Sequence, residues 1–297
     1  MKIDWRSNFN ISALHAAQAT CFETNLVDHR VQNAIQGPAR ALNDWYRQRT
    51  PSSFSDRGEI WSVLIEQSLD CDQPEQIAEQ AQRLLFATAQ SDSTTRNFIA
   101  GRIGEIQAAY ALLFPKFAEQ IDLRLRPLRE LWEGWGPGLL AHIGRLTERR
   151  LIPSQATVVG VQPILGGAGR AYPNQQFVTI EAVLTNPVVE LPEVIRLAWL
   201  LAQQGASQIA ITESTMSDRG SFVWALAMLP PVLAASQIVE LARIDEANLS
   251  LAIEQWSIAI PESLKNPAQS LIHWWETYLQ TKPSWEVALN AIDKMLD

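Results

Sequence analysis

Apolar residues recur at helical spacing through most of the first half of the chain and predict a series of amphipathic helices. The pattern predicts two helices over residues 11–50, followed by helices over residues 60–69, 74–85 and 98–114. The stretches between them are rich in serine, threonine and proline, which is typical of turns. The first 150 residues therefore favour a helical bundle.

The end of this half contains several residues that ordinarily interrupt a helix. Pro127 predicts that residues 117–131 form one or two helices with a break, because proline removes a backbone donor. Residues 131–138 contain three glycines and a proline and predict a tight turn. Two tryptophans in this turn, Trp132 and Trp135, are interpreted as sealing the junction with the second half, with ligand stacking as the alternative.

The pattern changes at Ala156. Residues 157–164 are rich in β-branched side chains and residues 177–182 alternate apolar and polar, so we predict a β-hairpin with a long connection. Residues 192–204 then form a helix that is apolar nearly all round and is expected to be buried. Gly205 stands where a glycine commonly ends a helix.

Beyond this helix the pattern predicts further short elements. A strand over residues 207–212 and a polar loop over residues 213–220 precede an apolar helix that must kink or break at Pro230-Pro231. Three helices follow between residues 249 and 296. Four tryptophans there are expected to pack in the core: Trp256, Trp274, Trp275 and Trp285.

Together these elements predict an α+β protein that is predominantly helical. Residues 1–150 form the helical bundle, and residues 151–297 form an α+β segment with the central helix 192–204 and the C-terminal helices. Because no long polar linker separates the two halves, we expect one continuous core.

Charge and composition exclude several classes of protein. The formal net charge is −8 and the isoelectric point is about 5.1, so no general basic field attracts phosphate, and neither nucleic acid nor a membrane surface is expected as a partner. Polar residues interrupt the N-terminal stretch, which therefore does not read as a secretory signal, and no run approaches the length needed to span a bilayer. We predict a cytoplasmic protein.

The two cysteines, Cys21 and Cys71, form no CxxC motif. Such a pair in a chain of this length is not a disulfide framework and indicates small buried thiols, with a redox or nucleophilic role as the alternative.

The glycine-rich loop over residues 166–170 invites comparison with phosphate-binding loops. In those loops the glycine run leads directly into a helix, which carries a lysine in the P-loop case. Here it leads into a second strand, and the lysine is absent. We therefore interpret it as the flexible tip of the hairpin rather than as a phosphate site.

The start of the central helix reads Pro192-Glu193-Val194-Ile195-Arg196, at the spacing of the HExxH motif. In that motif two histidines one turn apart bind zinc and the intervening glutamate acts as a base. The order of elements over residues 150–245 also resembles that of HExxH zinc metallopeptidases, with Glu240 on a later helix in the place of a third ligand. The same stretch is also similar to bacterial proteins, but that similarity indicates no activity.

This resemblance implies a metallopeptidase-like framework that has lost its metal. Proline has no ligating atom and the arginine guanidinium has no free lone pair, so Pro192 and Arg196 cannot replace the two histidines. The alternative is purely structural: Pro192 begins the helix, Glu193 favours its N-terminus, and Arg196 pairs with a carboxylate such as Glu193 at i,i+3.

Other catalytic patterns are weaker. The four histidines are far apart in sequence: His15, His29, His142 and His273. We therefore predict neither a metal nor a cofactor. Residues 214–218 contain hydroxyl and acidic groups but no nearby histidine.

Acid–base chemistry needs carboxyl groups close together. The candidates are Glu181, Glu193 and Glu240, and the alternative is that they form ion pairs with Arg170 or Arg196.

The leading hypothesis is a non-catalytic interaction or scaffold protein that binds another protein. The alternative is a hydrolase with a site built from Glu193, Glu181 and Arg196. An open polar cleft at Glu193 favours the hydrolase, a filled site with Glu193 paired to Arg196 counts against it, and an interaction protein needs an exposed apolar surface.

Overall fold

A computed structural model describes residues 1–22, 25–49, 58–86, 92–208, 218–258, 260 and 265–295. It confirms the predicted class, an α+β protein that is predominantly helical. The chain divides into two compact units, which we name the helical unit (residues 6–124 and 159–166) and the sheet-containing unit (residues 1–5, 125–158 and 167–297). The expectation of one continuous core stays a prediction.

The helical unit is built from amphipathic helices, as their spacing predicts. They are α1 Phe9–Phe22, α2 His29–Arg47, α3 Glu59–Gln67, α4 Pro74–Leu85 and α5 Ser93–Leu113. The carboxylates of Asp28 and Asp92 cap α2 and α5 by accepting hydrogen bonds from Arg30 N and Thr94 N.

The predicted break and turn between residues 117 and 138 are wrong. The chain forms one helix, α6 Phe117–Leu146, which continues through Pro127 and Pro137. Each proline removes only one backbone hydrogen bond, and burial of an apolar stripe that includes Leu128, Leu139 and Ile143 stabilises the helix across both sites.

The two tryptophans of that stretch differ in environment. Trp132 is buried and Trp135 is exposed. A Cβ atom at Gly136 would lie 2.3 Å from the Trp132 ring, so this glycine makes room for the indole one turn earlier on the same helix.

The sheet contains four described strands in the order β1-β2-β4-β3. They are β1 Lys2–Ser7, β2 Gln155–Val161, β3 Gly169–Tyr172 and β4 Phe177–Glu181. The sequence did not predict β1 or β3. β3 lies within the connection predicted to be long, and it pairs antiparallel with β4, with Gly169 opposite Ile180 and Tyr172 opposite Phe177.

The most buried helix of the sheet-containing unit is α7, Glu193–Ala202, every residue of which is buried. A 3₁₀ helix, Gln203–Gln208, follows directly. Gly205 lies inside it and is not among the glycines with positive φ, so it does not end α7 in the predicted way. A Cβ atom at Gly205 would lie 2.3 Å from the Leu151 carbonyl oxygen, so the glycine permits a close backbone approach.

The remaining helices surround this core. They are α8 Asp218–Ala227, α9 Leu229–Ile238, α10 Glu246–Gln255, α11 Pro267–Thr281 and α12 Trp285–Met295. The predicted break occurs at Met228, directly before Leu229-Pro230-Pro231. The four C-terminal tryptophans are buried as predicted. Of the strand predicted over residues 207–212, the first two residues are 3₁₀ helix and the rest lie outside the described residues.

Candidate functional site

The structure brings together the three residues from which the hydrolase hypothesis builds its site. Glu181 is the last residue of β4, Glu193 is the first residue of α7, and Arg196 lies one turn further along α7. Their exposed fractions are 0%, 3% and 2%. We name these three residues the buried charge cluster.

Glu240 does not belong to this cluster. Helix α9 ends at Ile238, and Glu240 is an exposed residue beyond it with a φ of 60°. The prediction that Glu240 occupies a helix position equivalent to a third ligand is therefore wrong, because the chain turns out of the helix two residues earlier.

The start of α7 depends on the segment before it. Pro192 is the N-cap residue, as the structural interpretation predicts, but proline has no side-chain oxygen to cap the helix. The side chain of Asn186 supplies that oxygen, and its Oδ1 accepts a hydrogen bond of 3.0 Å from Glu193 N. We name residues 183–192 the connecting segment, since they join β4 to α7.

Glu193 and Arg196 form the predicted i,i+3 ion pair, but its geometry is poor. Arg196 Nη2 lies 3.4 Å from Glu193 Oε1 and donates a long hydrogen bond of 3.5 Å to the Gln255 carbonyl. A charge-assisted hydrogen bond is ordinarily about 2.7–2.9 Å. Both Glu193 carboxyl oxygens, and Nε and Nη1 of Arg196, are buried without a hydrogen-bond partner.

Glu181 is bound differently, by backbone amides. Its Oε2 accepts hydrogen bonds from Gly167 N at 2.7 Å and Ala168 N at 3.2 Å. Gly166 and Gly167 have φ values of 84° and 134°, which turn successive amides toward one oxygen. The glycine-rich loop thus binds a carboxylate of its own chain.

This geometry corrects the prediction of a flexible hairpin tip. Gly169 already belongs to β3, so the loop connects β2 to β3 and is not the tip of a hairpin that joins β2 directly to β4. A Cβ atom at Gly167 would lie 2.9 Å from both Arg196 Nη1 and Pro187 Cγ, so the loop, the connecting segment and α7 meet where a side chain does not fit.

Burial dominates the electrostatics of Glu193. Its pKa is raised above the ordinary value of 4.5 by burial, lowered by Arg196 and raised again by Glu181. The N-terminus of a helix stabilises a carboxylate by about 0.3–1 kcal/mol, whereas burying an ionised carboxylate costs on the order of several kcal/mol. The pKa of Glu193 therefore lies above its ordinary value, although Arg196 opposes the shift.

Arg196 remains charged. Burial lowers the pKa of its guanidinium, and both neighbouring carboxyl groups oppose that shift. An arginine side chain does not lose its proton in proteins at neutral pH. The cluster therefore contains one permanent cation and two carboxyl groups, of which Glu181 accepts hydrogen bonds and Glu193 accepts none.

The weaker candidates from the sequence are the histidines and the hydroxyl-rich loop. No group of three metal-ligating side chains exists within the described parts of the chain. His15 is buried on α1, His29 and His273 are exposed, and His142 is half-buried on α6. Of the hydroxyl-rich loop, residues 214–217 lie outside the described residues.

The environments of the two cysteines differ, and that of Cys21 does not favour a nucleophilic role. Burial raises the pKa of Cys21 to about 12, an effect that Arg40 opposes. Cys71 is buried, and its sulfur accepts a hydrogen bond from Gln80 Nε2 at 3.2 Å. A thiol that keeps its proton at neutral pH is a poor nucleophile.

Sequence reasoning missed a second buried polar group, in the helical unit. Ser12 Oγ lies 2.8 Å from Tyr110 Oη and accepts a hydrogen bond of 2.8 Å from Gln162 N. We name these three residues the neutral network. The one signal in the sequence was the polar residues on the otherwise apolar α1, such as Asn10 and Ser12.

No model of a known protein family, no curated protein and no solved structure matches this chain. The resemblance to HExxH zinc metallopeptidases therefore stays a prediction. Within the described residues, none of the helices combines the length and apolar character required to cross a lipid bilayer.

Proposed function

We propose that this chain is a non-catalytic cytoplasmic protein that binds another protein through the connecting segment, residues 183–192. The observation that carries the proposal is the exposure of two apolar side chains on this segment, Leu184 at 55% and Val189 at 83%. Most surface apolar side chains are scattered and carry no function, but these two lie on one short segment that is neither helix nor strand.

The chemistry of the segment defines the kind of partner. Glu190 is exposed beside Val189, and the whole chain carries a net charge of −8. A partner surface with apolar side chains and an adjacent lysine or arginine complements both features.

The buried charge cluster supports a non-catalytic role. A hydrolase needs its acid and base within reach of a substrate, and Glu181, Glu193 and Arg196 are almost completely buried. Glu193 is paired with Arg196, the arrangement that counts against the hydrolase alternative. A degenerate metallopeptidase framework is compatible with this role, because Pro192 and Arg196 do not bind zinc.

The test is affinity capture from the native cell with the full chain, followed by calorimetric titration of the captured partner. Leu184→Asp/Val189→Asp is compared with the wild type and with Val287→Asp, which alters an apolar side chain on α12 that is also 55% exposed. We expect the double variant to weaken binding at least about tenfold, which is the size of one lost interface contact of about 1.4 kcal/mol.

The control should bind as the wild type does. Equal binding by the double variant and the wild type contradicts the proposed surface. Turnover of a peptide, ester or glycoside substrate that Glu193→Gln abolishes contradicts the non-catalytic assignment itself.

A further inference from the structure

Glu193 lies at the boundary between an exposed segment and a closed core. Its backbone amide bonds to Asn186 of the connecting segment, and its side chain points among buried groups. Both carboxyl oxygens lack a hydrogen bond, so no donor would stabilise the negative charge of the ionised form. Burying an ionised carboxylate without hydrogen bonds costs far more free energy than burying a neutral polar group.

The ionisable groups around Glu193 come from few elements. Arg196 is on the same helix, and Glu181 is at the end of β4. The 3₁₀ helix after α7 and helix α9 contain no ionisable residue. On the other neighbouring segments Arg170 is half-buried, and Glu190 and Glu254 are exposed.

We propose that protonation of Glu193 controls the conformation of the connecting segment. The segment covers Glu193 while the carboxyl group holds its proton, and it opens to solvent when the proton leaves. This device is independent of any partner protein.

The position of Glu193 explains why proton loss acts on this segment. A carboxylate formed there gains stability by reaching water, and the remainder of α7 is buried throughout. The connecting segment is the thinnest cover, since Asn186 and Pro187 are exposed and Pro192 is half-buried. Opening its exposed part, residues 184–187, breaks the 3.0 Å cap on α7 and separates Pro187 from Gly167, while Leu191 stays buried in the apolar core.

The raised pKa of Glu193 is consistent with this coupling. If the open segment returns Glu193 to an ordinary environment, opening releases one proton. The opening equilibrium constant then rises about tenfold per pH unit from about pH 4.5 up to the pKa of the closed form, and is constant above it.

Hydrogen exchange measured by mass spectrometry on the full chain tests the proposal. Protection of peptides that cover residues 183–192 is followed from about pH 5 to about pH 8, after correction for the intrinsic pH dependence of exchange. In the wild type we expect corrected protection to fall with rising pH, by about tenfold for each pH unit that lies below the pKa of the closed form. Peptides from α4 report on unrelated regions and should not change in the same way.

Two variants separate proton binding at Glu193 from other causes. Glu193→Gln cannot lose a proton there, so its protection should be independent of pH. Glu190→Gln removes an exposed carboxyl group of the same segment and should behave as the wild type does. Wild-type protection that is independent of pH overturns the proposal, as does an unchanged pH dependence in a folded Glu193→Gln protein.

Discussion

The sheet-containing unit and the helical unit each bury a small group of polar side chains, but the two groups are satisfied in different ways. In the neutral network, Ser12, Tyr110 and the backbone of Gln162 are joined by hydrogen bonds of 2.8 Å and carry no charge. In the buried charge cluster, Glu181 is bound by two amides, whereas Glu193 and most of the Arg196 guanidinium have no hydrogen bond.

This difference determines how each group responds to conditions. A neutral hydrogen-bonded network contributes the same free energy at every pH at which its members keep their protons. A buried carboxyl group with a raised pKa makes stability depend on pH. We therefore assign a structural role to the neutral network and a pH-dependent one to the charge cluster.

Removal of the only cation in the charge cluster should have the largest effect. Arg196→Met leaves Glu181 buried without its cation and removes the charge that opposes the upward shift in the pKa of Glu193. Loss of one partner from a buried ion pair costs about 3–5 kcal/mol. Urea unfolding at neutral pH measures the loss, and a decrease below about 1 kcal/mol would contradict the electrostatic role of Arg196.

Disruption of the neutral network should have an intermediate effect that does not depend on pH. Ser12→Ala leaves the buried amide of Gln162 without its acceptor and removes the neighbour of the Tyr110 hydroxyl. An unsatisfied buried donor costs about 1–3 kcal/mol. The unfolding free energy should fall by the same amount at about pH 5 and about pH 8.

Thr277→Ala is a suitable control for that measurement. Its hydroxyl also donates a hydrogen bond, to the His273 carbonyl, but at an exposed position on α11. The change should be within about 0.5 kcal/mol. A pH-dependent effect of Ser12→Ala would break the contrast between the two polar groups.

Tyr110→Phe should have a smaller effect. It removes one hydroxyl and leaves Ser12 bound to Gln162 N, so the expected loss is about 0.5–1.5 kcal/mol. Burial raises the pKa of Tyr110, which keeps the hydroxyl protonated in the wild type. A thermal melt of both proteins measures the difference, and a loss larger than that of Ser12→Ala would reverse the proposed order.

Glu193→Gln should have the smallest effect at neutral pH, within about 1 kcal/mol, because glutamine has nearly the shape of the protonated acid. The informative quantity is the slope with pH. In the wild type the folded state holds the Glu193 proton more tightly than the unfolded state, so this contribution is fully present below about pH 4.5 and is lost as the pH rises through the folded pKa.

The variant lacks that proton, so its unfolding free energy should fall less steeply with rising pH than that of the wild type. Urea unfolding in a series of buffers measures both slopes. Parallel curves for the two proteins would show that Glu193 does not titrate abnormally.

Local sequence signals predicted much of the fold. The proline and early acid of α4 placed its start at Pro74, and Pro230-Pro231 predicted the break between α8 and α9. Signals of the same kind failed at α6, because packing of its apolar stripe outweighs two prolines and four glycines. Such tertiary contributions cannot be read from local spacing.

The candidate site was predicted in part for a similar reason. The i,i+3 spacing predicts the Glu193–Arg196 pair, because both residues lie on one helix. Glu181 joins this pair because of how β4 lies against α7, which local spacing does not show. Glu240 stays apart because α9 ends before it, and the sequence did not predict that end. Backbone amides are present in every residue except proline, so the side-chain pattern could not predict that those of Gly167 and Ala168 bind a carboxylate.

Glu193 is expected to hold its proton in the folded protein at a pH where an ordinary glutamate has lost it. Carbon-13 NMR of the Glu193 carboxyl group, assigned by its absence in Glu193→Gln, measures this directly in the wild type. We expect the resonance to titrate with a midpoint above the ordinary pKa of 4.5. A midpoint at or below 4.5 would show that the fold does not raise the pKa of Glu193.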